Sequence, residues 1–374
     1  MQKHPPLIAR LLAMVLCFLP PGLSLGAPQL AGGSKELRFR VTSASALSHP
    51  DANIGAVKLS AEGDLLFLTS DRRDIHRFTP DGRRAFSWRL DPVLATASAG
   101  VQVKNDFATD AGDRLYVVAS WGEPGGRAAP GTGVLVFDPA GRHEKTIPLE
   151  NVASAERIAM DPQGMLYVLS LDTAWLRDRT RECYLVHKFT PGGKKVASFS
   201  PCPDRRVPGA APFGASGSAI SQLYEETARG QLWIRDGLVR HVLPAARLLR
   251  IFDGSGNMIR EVVLTPPDSR GVLSPLHLAP DPAALRVWRV AELADGTFLI
   301  EWLYAQRAGS GGERRATFLA LHAEDGRPLS RASLPPARPG GLIPGYHPRE
   351  VLFLHLNVAQ GRRVELLRAT ILLE

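Results

Sequence analysis

Short apolar runs alternate with turn residues along the chain, and the alternation itself repeats. Five segments read as an apolar strand, a glycine-containing turn and a second apolar strand: VKLSAEGDLLFLTS, NDFATDAGDRLYVVAS, RIAMDPQGMLYVLS, YEETARGQLWIRD and RVAELADGTFLIEW. Each is followed by a second hairpin: DIHRFTPDGRRAFSW, GVLVFDPAGRHEKTI, YLVHKFTPGGKKVASF, RLLRIFDGSGNMIREVVL and TFLALHAEDGRPLSRASL. Four strands therefore recur as one unit. The first-turn glycines Gly63, Gly112, Gly164, Gly230 and Gly296 lie 49, 52, 66 and 66 residues apart. Such a period suits four-stranded blades with loop insertions better than helical repeats.

A sixth unit is degenerate, with EVLFLHLNV and RRVELLRATILL supplying two strands but no outer strand after them. LRFRVTSA, Leu37 to Ala44, is a strand without a hairpin partner. Giving it to the last unit closes a ring and removes open sheet edges. The expected fold is an all-β β-propeller of about six four-stranded blades.

The strand-turn motif D-x-x-G-x-[LI]-[YF]-V, as in DPQGMLYV (Asp161 to Val168) and DAGDRLYV (Asp110 to Val117), is followed by F-x-P-x-G-[RK]. In this the chain resembles the NHL-repeat and related six-bladed β-propeller families, over almost the whole of its length after the leader. These motifs are structural punctuation and identify architecture rather than chemistry.

At the N-terminus, Lys3 and Arg10 precede an apolar run, LLAMVLCFL, ended by Pro20-Pro21 and the small residues of SLGA. That is the pattern of a signal peptide over residues 1–27, cleaved after Gly26 or Ala27, leaving 28–374 as one propeller domain. The run is too short to span a bilayer, which takes about 20 apolar residues. A soluble, monomeric protein exported to the periplasm or secreted is expected. The formal net charge of +8 suggests attraction to anionic surfaces, glycans or acidic partners. Nucleic acid is not expected, because no basic block with interleaved aromatics is present.

In a four-stranded antiparallel blade both glycine turns lie on one face, and the inner long loops and blade connections lie on the other. The length variation falls on this second face, in SWGEPGGRAAPGTG, LDTAWLRDRTREC, RDGLVRHVLPAAR and YAQRAGSGGERR. Loops on a rigid scaffold are where binding concentrates. In or beside these loops stand Arg72, Arg73, Arg177, Arg179, Arg235, Arg240 and Arg307, with Trp121, Trp175, Trp302 and Tyr304. Guanidinium binds carboxylate or phosphate in fork geometry, and aromatics add rigid contact area. These eleven residues are the candidate ligand-binding set.

Cys183 and Cys202 carry a sharper expectation. A two-residue loop at Gly192-Gly193 would pair Pro191 with Lys194, and in that register the two cysteines face each other at disulfide distance. Their spacing is not that of a redox pair, so the bond is expected to be a structural clip.

Enzyme signatures are weak, and no catalytic residue is assigned: H-E-x-x-H, G-x-S-x-G and P-loop patterns are missing from the sequence, and GSGGE reads as a flexible loop. The first functional reading is a non-catalytic exported propeller that binds a protein, glycan or anionic small molecule through the long-loop face, with no cofactor. The alternative is a propeller lyase or lactone hydrolase with Zn²⁺ or Ca²⁺ at the channel mouth. That resemblance implies ligands such as His241, His277, His347, Asn53, Asn105 or Asn151, with Arg73 or Tyr346 beside the substrate. Asp106 reads as a ligand or as a strand cap.

Overall fold

A computed structural model of the chain describes residues 35–47, 54–60, 64–90, 101–122, 131–203, 219–276, 278, 284–307, 313–335, 340–347, 350–357 and 363–374. The predicted leader, Asn53, Gly63 and His277 lie outside them. Six four-stranded sheets form a six-bladed β-propeller. β1 (Leu37–Ala46) belongs to the last of them. Blade 1 holds β2 (Ile54–Leu59), β3 (Leu65–Thr69), β4 (Asp74–Phe78) and β5 (Arg84–Arg89). Blade 2 holds β6 (Gln102–Thr109), β7 (Leu115–Trp121), β8 (Gly131–Phe137) and β9 (His143–Pro148). Blade 3 holds β10 (Arg157–Met160), β11 (Leu166–Leu169), β12 (Tyr184–Phe189) and β13 (Lys195–Pro201), with the short α1 (Thr173–Arg177) in its inner long loop. α2 (Ala219–Arg229) leads into blade 4, built of β14 (Gln231–Arg235), β15 (Leu238–Leu243), β16 (Leu248–Phe252) and β17 (Met258–Val263). After α3 (Arg270–Leu273), blade 5 runs through β18 (Leu285–Leu293), β19 (Phe298–Arg307) and β20 (Glu313–His322). Blade 6 starts with β21 (Gly340–Leu342), while β22 (Gly345–His347) pairs in parallel with β18 of blade 5. β23 (Val351–Asn357) and β24 (Arg363–Leu373) then complete blade 6 together with β1.

The near-continuous apolar runs of the second strands have a simple cause. Side chains alternate across a strand, and in a blade each face packs on a different neighbour. In β3, Leu65 and Phe67 join the cluster shared with blade 6, while Leu66 and Leu68 join the one shared with blade 2. In β11, Leu166 and Val168 face blade 2, and Tyr167 and Leu169 face blade 4. Two further clusters join blade 4 to 5 and blade 5 to 6. The core is thus six inter-blade wedges in a ring.

β1 closes that ring antiparallel to β24, from Leu37 opposite Leu373 to Ala46 opposite Glu365. The outer-hairpin glycines give a second view of the closure. A Cβ on Gly193 would fall 2.2 Å from the Pro148 carbonyl of blade 2, and one on Gly326 would fall 2.2 Å from the Val263 carbonyl of blade 4. Each outer turn thus sits on the outer strand of the preceding blade. Gly82 of blade 1 meets Ser45 and Ala46, so β1 holds that place for blade 6.

Blade 4 departs from the expected alignment. Tyr224 to Arg229, expected as a strand, is the end of α2, and Gly230 follows the helix with its N–H donating to the Glu226 carbonyl at 2.8 Å. The helix buries Leu223, Glu226 and Thr227 on one side, a 3.6-residue period in place of a strand's alternation. The first hairpin of the blade turns instead at Asp236-Gly237, both with positive φ. In blade 2 the left-handed turn residue is Asp113, at φ 59°, rather than Gly112.

Cys183 and Cys202 form a disulfide with Cα atoms 5.3 Å apart. The flanking register is the expected one, with Tyr184 opposite Pro201 and Val186 opposite Phe199. The turn is not: Gly193 N–H closes it on the Thr190 carbonyl at 2.9 Å, and a bulge between Lys188 and Phe189 restores the register. The bond spans 19 residues and caps a satellite cluster holding Trp175, Leu176 and, from α2, Leu223. Replacing both cysteines by serine should cost about 3 kcal/mol on the loop-closure model and lower the Tm by roughly 5 °C. Thermal unfolding with and without reductant checks this; an unchanged Tm would show that the clip contributes nothing.

Candidate binding face

Polar contacts near the inner strands tie blades 1 to 5 each to the next. Lys58 of β2 forms an ion pair with Asp106 of β6 at 2.8 Å and donates to the Ile158 carbonyl of β10 at 2.7 Å. Asp106 also accepts from the Ile158 N–H at 2.7 Å, and Lys104 pairs with Glu156 at 3.2 Å. Burial pushes the Lys58 ammonium pKa down, and Asp106 partly offsets this. Arg157 reaches the carbonyls of Ala228 and Gly230 ahead of blade 4. Gln231 of blade 4 clamps blade 5, donating to the Trp288 carbonyl at 3.1 Å and accepting from the Val290 N–H at 2.9 Å. Glu301 accepts from Arg289 at 3.3 Å and from the Leu342 N–H of blade 6 at 3.2 Å. Asp106 is therefore an inter-blade clip, joined to Lys58 of blade 1 and to Ile158 of blade 3.

The candidate residues divide by place. On the long-loop face, Arg72 donates to the Val103 carbonyl of blade 2 at 3.0 Å and Arg73 is exposed beside it. Trp121 ends β7 half-buried, lying so close to Gly131 and Gly133 that a Cβ on either would overlap its ring. Trp175 lies on α1, half-buried on the disulfide cluster, with the Arg179 guanidinium 3.8 Å from its ring centroid and Arg177 exposed. Asp172 caps this helix, accepting from the Ala174 N–H at 2.7 Å, and pairs with Lys195 at 2.6 Å. The Arg307 side chain lies outside the described residues.

The remaining candidates are not on that face. Trp302 and Tyr304 are fully buried in the wedge between blades 4 and 5, where alternation along β19 turns them inward. RDGLVRHVLPAAR is not a loop but β15 between two tight turns. Its Arg235 sits at the glycine-turn end of β14, bonded to Glu292 at 2.9 Å and stacked 4.0 Å from the Tyr346 ring. Arg240 is buried against the same Glu292 at 2.7 Å. Both guanidiniums are paired with a carboxylate inside the sheet.

His241 is completely buried, its Nδ1 2.7 Å from Ser200 Oγ, and desolvation pushes its pKa down to about 3. His347 is buried as well, with Nε2 2.7 Å from the Ile343 carbonyl, and burial again lowers its pKa. Each imidazole has one nitrogen on a local partner, whereas the buried Nε2 of His241 has no hydrogen-bond partner among the described residues. Among the described residues no group of three His, Cys, Asp or Glu side chains is arranged to hold a metal ion. Asn151 takes φ 57° at a turn, and of Asn105 only the backbone is described.

The structure adds a cluster that the sequence reading passed over. A bulge between Val287 and Arg289 leaves Trp288 unpaired on β18, half-buried. The Arg229 guanidinium, at the end of α2, lies 5.8 Å from its ring centroid, and that of Arg289 lies 6.0 Å away. Beneath them Glu226 is buried, accepting from Ala246 N–H at 2.9 Å and Ala245 N–H at 3.3 Å. Burial pushes its carboxyl up to about 7, against the pull of those N–H groups, Arg250 and Arg286. Glu226, Arg229, Arg286 and Trp288 line a cavity of about 10 Å³, room for one water. The sequence signal was W between R residues in LRVWRVAEL, an arrangement that simple strand alternation hides.

No family model matches the chain, and no curated protein sequence matches it. Among solved structures, it is similar to a member of the DUF4221 family from Bacteroides vulgatus, with TM-score 0.53 and 8% identity over 91% of this chain and 100% of that one. Virginiamycin B lyase from Staphylococcus aureus gives TM-score 0.44 and 11% identity over 89% and 99% of the two chains. A gluconolactonase from Xanthomonas campestris gives 0.41 and 12% over 88% and 99%. The likeness to the Bacteroides protein is one of fold, and it agrees with the six-bladed propeller seen in the strand order.

Proposed function

We propose that the protein is an exported, NHL-like β-propeller that serves as a non-catalytic binding scaffold, taking an anionic partner, an acidic protein or glycan, on its long-loop face. The observation that carries this reading is the repeated placement of guanidinium against indole on that side: Arg179 on Trp175, and Arg229 and Arg289 about Trp288. Arginine with tryptophan gives charge, fork geometry and rigid area together, the chemistry of interface hot spots. A structural disulfide fits an oxidising compartment, and among the described residues no helix is long and apolar enough to cross a membrane.

The test is charge reversal. The Arg177→Glu, Arg179→Glu double variant should bind a heparin oligosaccharide about tenfold more weakly than wild type at low salt. Arg327→Glu, on an exposed turn of the opposite face, should bind within about twofold of wild type. Equal losses in both would show attraction to overall charge and remove the case for a dedicated face.

A further inference from the structure

Of the six tryptophans, five have a packing role. Trp88, Trp233 and Trp302 belong to inter-blade wedges, Trp175 packs on the disulfide cluster, and Trp121 lies against two glycines. Trp288 belongs to none of the clusters. It is a large aromatic, half-exposed at the inner edge of blade 5, where a polar side chain would cost the fold less.

Its position is nevertheless held firmly. The bulge frees the side chain from the ladder, and Gln231 fixes the bulged backbone from blade 4 on both sides, at the Trp288 carbonyl and the Val290 N–H. Bulges of this kind re-aim side chains and recur beside functional sites. Arg289 is braced in turn by Glu301, itself anchored on the Leu342 N–H of blade 6. Three blades thus hold one indole and one guanidinium, and α2 brings a second guanidinium to the ring.

We propose that Trp288, with Arg229 and Arg289, is a subsite for a planar anion: an aromatic ring bearing a carboxylate or a phosphate. The ring stacks on the indole, and the charged group is drawn to the two guanidiniums, that of Arg289 keeping its contact with Glu301. This rests on the anion-binding reading of the long-loop face and names the small-molecule class that one part of it takes.

The experiment is calorimetric titration of the full chain with benzoate and phenyl phosphate, against acetate, inorganic phosphate and phenol as probes lacking either ring or charge. Benzoate or phenyl phosphate should bind at least about tenfold more tightly than any of the three controls. Trp288→Ala should abolish that preference, Trp288→Phe should keep binding within about threefold, and Arg289→Gln should weaken the anions while leaving phenol unchanged. Tm values of the variants report whether they fold, and Trp288→Phe, which keeps a ring, carries the test if the alanine variant does not. No preference for ring-bearing anions in wild type, or unchanged preference in a folded Trp288→Ala, overturns the subsite and leaves the tryptophan as an inter-blade spacer. If heparin binding through Arg177 and Arg179 persists in that case, the subsite alone falls. If heparin binding is also lost from wild type, the anion-binding reading falls with it.

Discussion

Acidification from pH 7 to about 4 is expected to unfold the protein, with a midpoint between about pH 5 and 4. His187 is buried between Ser198 Oγ at 2.9 Å and the Ser170 carbonyl at 3.2 Å, and desolvation pushes its pKa down to about 4. His322, with the Thr265 carbonyl at 3.0 Å, falls to about 4 for the same reason, His241 falls to about 3, and His347 is lowered too. Each stays neutral in the fold while the unfolded chain takes up protons below its ordinary value of 6.5. Stability from these groups is therefore full above pH 6.5 and is lost as the pH falls toward the folded values, at about 1.4 kcal/mol per unit for each.

Glu226 works in the opposite direction. Its folded carboxyl titrates at about 7 against 4.5 unfolded, so it favours the fold progressively as the pH drops through that window. Burial raises the Glu301 carboxyl in the same sense, and the lowered histidines outweigh the two carboxyls. The net loss by pH 4.5 is on the order of 5 kcal/mol, comparable with the whole stability of an ordinary domain. Near-ultraviolet circular dichroism against pH measures it. Glu226→Gln should remove its opposing contribution and steepen the loss between pH 7 and 5, whereas a signal unchanged down to pH 4 would contradict neutral buried histidines.

Deleting residues up to Ala46 should abolish cooperative folding. β1 is the outer strand of blade 6, and without it β24 presents a long unpaired edge in a ring held together by its wedges. Leu37 is buried in the wedge between blades 5 and 6, and Phe39 meets Phe353 edge-on at 5.5 Å. Leu37→Ala alone should cost about 3 kcal/mol in urea unfolding. A deletion variant that melted like the parent would show that the ring does not depend on this strand.

The propeller was legible because its punctuation is forced by chemistry. Outer turns seated on a neighbouring backbone admit only glycine, as at Gly193 and Gly326, so the hairpin could be counted along the chain. The lone strand at Leu37 and the missing outer strand at the C-terminus were complementary in the same way. The disulfide was legible through register, although its turn was misread, because the bulge at Phe189 and the longer turn cancel. Blade 4 differs because the six residues from Tyr224 to Arg229 are too few to tell a helix from a strand, and taking them as a strand turns β15 into a loop and puts Arg240 and His241 on the surface. Trp302 and Tyr304 were drawn to the face by their composition, when alternation along β19 buries them. Trp288 shows in the sequence only as a tryptophan among arginines, since a one-residue bulge leaves no mark there and one of its two arginine neighbours, Arg229, comes from α2, which reads as a strand.

The most direct test of the account is the affinity of the full chain for a heparin oligosaccharide as a function of salt. Log K should fall steeply and linearly with log of the salt concentration, and the slope should shrink when Arg177 and Arg179 are reversed in charge. An affinity independent of salt, or a slope untouched by those two substitutions, would contradict an anion-binding face built on the arginine and tryptophan loops.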